Sequence, residues 1–318
     1  MRHYNIPIFV PHKGCPNDCV FCNQKKITGI SEIETLAETE KIIRTNLSTM
    51  TKPYFAEIAF FGGSFTGIDE DIQRKYLEIA SSFVKSGEVN GIRLSTRPDY
   101  ISEKILDMLK SYGVTAIELG AQSMSDEVLL KNHRGHSAEA TEKAVKLIKS
   151  YGFETGLQMM TGMYGSDGET DVLTAEKIAG LMPDTVRIYP TVVLGDTLLE
   201  KLYLRGQYVP PTLNKSVETC AKIYKIFEEK NIKVIRIGLQ STDTICEKGE
   251  IVAGAYHSAF GELVKSRIMR DEIEEKVKAG ERVIFVPANK ISIAIGQKRE
   301  NIKYIKEKYG IDIEVKGI

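Results

Sequence analysis

Seven short runs rich in β-branched residues recur along the first three quarters of this chain, and amphipathic stretches of ten to fifteen residues separate most of them. The runs are Ile6–Val10, Glu57–Phe61, Ile92–Thr96, Ala116–Ala121, Glu154–Met159, Thr185–Tyr189 and Lys233–Leu239. Between them, apolar residues return at helical spacing, as in Ile72, Tyr76, Leu77, Ile79, Ala80 and Phe83. Tyr112-Gly113 and Tyr151-Gly152 supply C-cap glycines. A strand, a helix and the next strand in steady alternation predict a parallel sheet crossed by helices.

The strands carry a second constraint. Parallel strands covered on both faces read as nearly continuous hydrophobic runs, and a closed TIM barrel fills its interior with branched aliphatics. Here one parity is apolar and the other is polar or small. Ile92, Leu94 and Thr96 alternate with Arg93, Ser95 and Arg97, and Ile117, Leu119 and Ala121 with Glu118, Gly120 and Gln122. Gly156 and Gln158 share a parity, as do Arg187, Tyr189 and Thr191, and Arg236, Gly238 and Gln240. The apolar parity is expected to face the helices and the polar one to line an open, partial (β/α) barrel with a polar cavity. The competing expectation is that the inward groups neutralise one another, Glu118 with Arg93 for example.

Composition narrows the function classes. Lys+Arg and Asp+Glu both number 43, so no global field favours nucleic acid or a membrane surface. The amino-terminal residues lack the apolar core of a secretory signal. No uninterrupted apolar stretch of about 18 residues spans a bilayer. Five cysteines, three of them clustered, are not a disulfide framework. The expectation is a reduced, cytoplasmic protein with no membrane partner.

The three clustered cysteines, Cys15, Cys19 and Cys22, follow the first strand with the spacing C-x₃-C-x₂-C. Three thiolates on one short loop can converge on a metal. An electron-transfer iron–sulfur cluster usually takes four cysteines, so three leave one iron without a protein ligand. A Cys₃His zinc site using His12 and metal-free cysteines are the alternatives, although structural zinc usually gathers two separated ligand pairs. The motif resembles that of the radical SAM superfamily. The resemblance implies a [4Fe–4S] cluster on Cys15, Cys19 and Cys22, with S-adenosylmethionine chelated to the open iron. It also implies reductive cleavage to a 5′-deoxyadenosyl radical, and a reducing partner such as ferredoxin or flavodoxin.

Further segments arrive in an order that narrows the resemblance. Phe61-Gly62-Gly63-Ser64-Phe65 follows the second strand and is similar to the superfamily's Gly-Gly-Glu segment, with Ser64 in place of the Glu. Ser95-Thr96-Arg97-Pro98-Asp99-Tyr100, Glu118-Leu119-Gly120-Ala121-Gln122-Ser123, Asn132-His133-Arg134-Gly135-His136 and Ile188-Tyr189-Pro190 come next. Together they resemble the catalytic subunit of Elongator and its prokaryotic relatives, which modify wobble uridines in tRNA. The resemblance implies that Gly62, Gly63 and Ser64 help to seat S-adenosylmethionine, with Arg97, Gln122 and Gln158 as candidates for its ribose and carboxylate. It implies RNA, tRNA in particular, as substrate. After Gln240 no glycine-rich pyrophosphate loop appears, so the family's acyl transfer is not expected here. A small-molecule substrate, or a non-enzymatic RNA-binding protein with zinc at the cysteines, are the other readings.

Beyond the barrel the period changes, which predicts an α/β barrel domain over 1–247 and a small α+β domain over 248–318. Phe260–Ala279 and Lys298–Lys308 read as helices, Arg282–Val286 and Ile311–Val315 as strands. Ile291–Ile302 resembles a KH core, whose G-x-x-G loop clamps a nucleic-acid backbone. The loop is Gly296-Gln297-Lys298-Arg299, without the second glycine and with basic neighbours. His133 and His136 have the spacing of a metal pair or a phosphate contact, against a plain loop leading into a helix capped by Ser137. Cys220 lies on an apolar helical stripe and is expected in the core. Cys246 is expected exposed.

Overall fold

The computed structural model describes residues 2–10, 19–23, 36–240 and 250–318. Cys15, His12 and Cys246 lie outside the described residues. All seven predicted strands form, as β1 (Arg2–Val10), β2 (Tyr54–Gly62), β3 (Gly91–Thr96), β4 (Val114–Gln122), β5 (Glu154–Thr161), β6 (Thr185–Pro190) and, after the short β7 (Val192–Leu194), β8 (Lys233–Ile237). They make one parallel sheet in the order β1-β2-β3-β4-β5-β6-β8, with β1 and β8 at its two edges. It is an open, partial barrel.

Helices cover the apolar parity. They are α1 (Leu36–Ser48), α2 (Glu70–Lys85), α3 (Glu103–Ser111), α4 (Asp126–Lys131), α5 (Ala138–Ser150), α6 (Gly168–Gly180), α7 (Leu198–Leu204) and α8 (Leu213–Glu229). Ile58, Phe60, Ile92, Leu94, Ile117, Leu119, Leu157, Met159, Val186 and Ile188 are fully or almost fully buried against Leu77, Phe83, Leu106, Ile148, Ile178 and Phe227 of those helices. Side-chain oxygens cap the helix starts: Asp69 for α2, Ser102 for α3, Ser137 for α5 and Thr212 for α8. Cys220, on α8, is fully buried as expected.

The polar parity faces inward. At the level of Glu118 the inward groups pair with one another, as the competing expectation held. Arg187 grips Glu118 in a two-bond fork of 2.6 and 2.9 Å. Gln158 donates to the same carboxylate at 3.0 Å and to Ser95 at 3.2 Å. Arg93 reaches Glu57 and Glu154 at 2.9 Å each and Glu118 at 3.5 Å. Burial by itself pushes the Glu118 carboxyl up, but Arg187, Gln158 and Arg93 outweigh it and hold it below the usual carboxylate range. Gly156 is required beside it, since a Cβ there would stand 2.8 Å from Glu118 Cγ.

The carboxy-terminal unit comprises β9 (Ile251–Gly254), α9 (Phe260–Lys278), β10 (Val283–Val286), α10 (Ile291–Ile295), α11 (Glu300–Tyr309) and β11 (Glu314–Gly317). Both predicted helices and both strands are present, and β10 and β11 pair in parallel. The boundary expected at 247/248 does not separate the cores. β9 pairs antiparallel with β7, and Ala255, Phe260, Val264 and Ile268 join the barrel core. Further along the same helix, Met269, Ile273 and Val277 build the second core with Ile284, Val286, Ala294, Ile305 and Ile313. The two cores therefore divide within α9. Polarity alone could not show this, because one continuous helix serves both.

The Gly296–Arg299 loop joins α10 to α11, with Lys298 and Arg299 both at positive φ, 51° and 63°. Asn301 staples it down by donating to Ser266 O at 3.0 Å and Ala294 O at 3.1 Å.

Replacing Arg187 with Met leaves a carboxylate that is 1% exposed without its fork. The expected cost is about 3–5 kcal/mol, read as a lower urea midpoint. The double change Glu118→Gln with Arg187→Met is expected to recover part of it. An additive double mutant would refute the coupling.

Candidate active site

The carboxyl ends of the strands gather the sequence motifs. β2 ends at Gly62, whose φ of 105° turns the chain sharply. Ser64 is 1% exposed. Its hydroxyl lies 2.8 Å from the Thr96 hydroxyl and accepts from the Arg97 backbone N–H at 3.2 Å. The serine thus ties the Gly62-Gly63 turn to the end of β3. The Arg97 guanidinium makes a fork to Asp99 at 2.9 and 2.8 Å and lies over the Tyr100 ring. The Gln158 amide is engaged with Glu118 and Ser95, below this level.

Gln122 differs from these. It ends β4 at a bulge, with φ of 64° where side chains are strained. Its Oε1 is buried and has no hydrogen-bond partner among the described residues. An orphaned buried acceptor costs about 1–3 kcal/mol, so the strained turn presents a carbonyl suited to a donor from a ligand.

The cysteine loop docks beside this turn. Cys19 and Cys22 are half-buried, and the Cys22 N–H donates to Cys19 O at 2.9 Å. Val20, 1% exposed, packs with Val193, Leu199 and Tyr208. Its N–H donates to Asn132 O at 3.2 Å and its carbonyl accepts from Leu199 N–H at 2.8 Å. Asn132 is fully buried and donates its amide to Tyr164 O and Val128 O, both at 2.8 Å. It therefore fastens the cysteine loop, the end of α4 and the loop after β5 to one another.

Beyond Asn132 the chain turns through His133 at a φ of 54° and presents Arg134. That guanidinium donates to Gly120 O at 2.7 Å and to Cys19 Sγ at 3.3 Å. The spacing of His133 and His136 suggested a pair, which does not form. His133 is exposed, while His136 is buried with Nε2 3.3 Å from Arg134 Nη2 and Nδ1 3.3 Å from Ser137 O. Burial, then Arg134, lower the His136 imidazole to about 4, so it is neutral at physiological pH. Asn132 and Arg134 stand in the same motif as the histidines, and the sequence gives neither a role of its own, because their partners Tyr164 and Cys19 are 32 and 115 positions away.

Asp171, on α6, shapes the loop after β5. It accepts from the Gly162 N–H at 2.8 Å and the Ser166 hydroxyl at 2.6 Å, and Tyr208 donates to Gly162 O at 2.6 Å. Burial raises the Asp171 carboxyl to about 6 against these bonds.

Comparisons with known proteins bear on the family and the fold. Residues 9–178 match the Radical SAM superfamily and residues 183–270 the Radical_SAM C-terminal domain. A tRNA uridine(34) acetyltransferase of Methanocaldococcus jannaschii is 30% identical over 273 residues, 80% of this chain and 49% of that one. Elongator complex protein 3 of Schizosaccharomyces pombe is 28% identical over 187 residues, covering 52% and 34% of the two chains. This chain therefore spans half or less of the length of these curated relatives. The solved archaeal Elp3 of Methanocaldococcus infernus superposes with a TM-score of 0.67 at 23% identity, covering 98% of this chain and 68% of that chain.

Asn132→Ala is expected to cost about 1–3 kcal/mol and to speed hydrogen exchange at the Val20 amide. Unchanged exchange at Val20 would show that the cysteine loop is held elsewhere.

Proposed function

Because the chain belongs to the radical SAM superfamily, we propose that it is a radical enzyme acting on RNA, with Cys15, Cys19 and Cys22 as the cluster ligands. The family's cofactors are a [4Fe–4S] cluster and S-adenosylmethionine. When bound, they supply a 5′-deoxyadenosyl radical after one-electron reduction.

The observation that carries this reading is the meeting of the half-buried Cys19 sulfur and the Arg134 guanidinium at the end of β4, where Gln122 holds a carbonyl without a partner among the described residues. The donor set fits. Thiolate ligands suit iron–sulfur centres, and a cation beside them offsets the negative charge they bring. Gln122 supplies a buried acceptor for a hydroxyl or amine of S-adenosylmethionine, and Gly62 and Gly63 keep the neighbouring backbone free of side chains. Ser64, Arg97 and Gln158 have internal partners and act as supports that hold the turn and the barrel interior in shape. The required electron comes from a low-potential donor such as ferredoxin or flavodoxin.

RNA as substrate class rests on two supports. Two of the relatives are named for tRNA uridine(34) acetylation and for Elongator. The Gly296–Arg299 loop presents Lys298 and Arg299, both exposed, at the start of α11, where phosphate is electrostatically favoured. The carboxy-terminal unit would grip the RNA backbone while the barrel mouth receives the reacting nucleotide.

Anaerobically reconstituted protein with reductant is expected to release 5′-deoxyadenosine from S-adenosylmethionine, and Cys19→Ala to abolish the release. Gln122→Ala is expected to weaken S-adenosylmethionine binding by roughly tenfold, the worth of one hydrogen bond. Lys298→Glu with Arg299→Glu is expected to remove a tRNA gel shift while leaving 5′-deoxyadenosine release intact. No release from wild-type protein that carries a full cluster would refute the enzyme reading.

A further inference from the structure

We propose that Arg134 is a positioning residue for the metal centre, donating a charged hydrogen bond to the Cys19 sulfur and thereby making the cluster easier to reduce. The inference rests on the assignment of Cys19 as a cluster ligand.

The geometry is specific. Arg134 is 7% exposed, and its planar guanidinium is braced from two sides. Nη2 donates to Gly120 O at 2.7 Å and lies 3.3 Å from His136 Nε2, which leaves Nη1 directed at Cys19 Sγ at 3.3 Å. The neutral His136 can accept from the guanidinium, so it steadies the cation and does not repel it. Gly120 brings the Arg134 guanidinium close to Gln122, since a Cβ built on it would stand 3.5 Å from Arg134 Nη2 and 3.0 Å from Gln122 Nε2. The same turn receives the cysteine segment through Val20 N–H to Asn132 O, so a backbone hydrogen bond ties the donor's segment to the sulfur's.

The consequence follows from charge. Adding one electron to a cluster on thiolates increases the negative charge on the sulfurs. A buried cation with an N–H aimed at one sulfur stabilises that reduced form more than the oxidised one. Arg134 also touches Gly120, two residues before the orphaned Gln122. It therefore joins the metal loop to the strand end that faces the proposed S-adenosylmethionine site.

The test is a mediated potentiometric titration of the reconstituted protein without S-adenosylmethionine, followed by electron paramagnetic resonance of the reduced cluster. Wild type, Arg134→Met and Arg134→Lys are compared at matched iron content, with the surface change Lys131→Met as a charge control. For Arg134→Met the reduced-to-oxidised ratio at fixed applied potential is expected to fall about tenfold, which is 59 mV for one electron. Arg134→Lys, which keeps the charge but cannot brace both Gly120 and Cys19, is expected in between, and Lys131→Met at the wild-type value.

A loaded Arg134→Met or Arg134→Lys variant with the wild-type potential overturns the inference. So does one whose potential is unchanged while its affinity for S-adenosylmethionine falls, which would assign the guanidinium to that cofactor. If Arg134→Met fails to load, the Lys variant decides alone. If wild type itself loads no cluster, the reading of the cysteines fails together with this inference.

Discussion

The inward carboxylate of Glu118 is the point on which the barrel turns. It is 1% exposed, and a lone charge at that depth would be prohibitive. Arg187 from β6, Gln158 from β5 and Arg93 from β3 converge on it, so one side chain registers four neighbouring strands against each other. Glu57 and Glu154 extend the network as two further carboxylates on Arg93. A hydrophobic filling would also close this level, but it would not specify which strand ends stand together. The ionic filling does, and the motif-bearing turns sit on the strand ends that it aligns.

Above that level the chain switches from pairs that satisfy one another to groups with something left over. Ser64 and Arg97 are engaged locally, whereas the Gln122 carbonyl is buried without a partner on a strained turn. Strain and an orphaned acceptor in the same residue are the usual marks of a site held ready for a ligand. Among the described residues, Val20 ties the cysteine segment to Asn132 at the end of α4 and to Leu199 in α7. The carboxy-terminal unit is coupled to the barrel through α9, which contributes to both cores. A basic loop stapled to that helix by Asn301 has a set position with respect to the barrel.

Much of the fold was legible in the sequence because strand and helix periods are local. All seven strands, the helix caps at Ser137 and after Tyr112, and both strands and helices of the carboxy-terminal unit could be read from neighbouring residues. So could the core position of Cys220. The step from one core to the other lies inside an unbroken helix, and a helical period alone does not show which residues belong to which core. The interior was half legible. Parity told which side chains point inward, and whether they pair depends on distances between strands that no single segment contains.

The sequence by itself determined the architecture and set out the chemistry on offer: an alternating β/α chain with one polar parity, and three cysteines close together in one short segment. Both follow from short-range rules, the two-residue period of strands and the reach of thiolates on a single loop. Only the tertiary structure decided the duties of the polar residues. It joined Gln158 to Glu118 and Ser95, paired Arg97 with Asp99, set Gln122 on a strained turn, and brought Arg134 to Cys19 across 115 positions of chain. The reason is physical. A hydrogen bond forms where two groups come within about 3 Å, and for residues far apart in sequence that proximity exists only once the chain has folded.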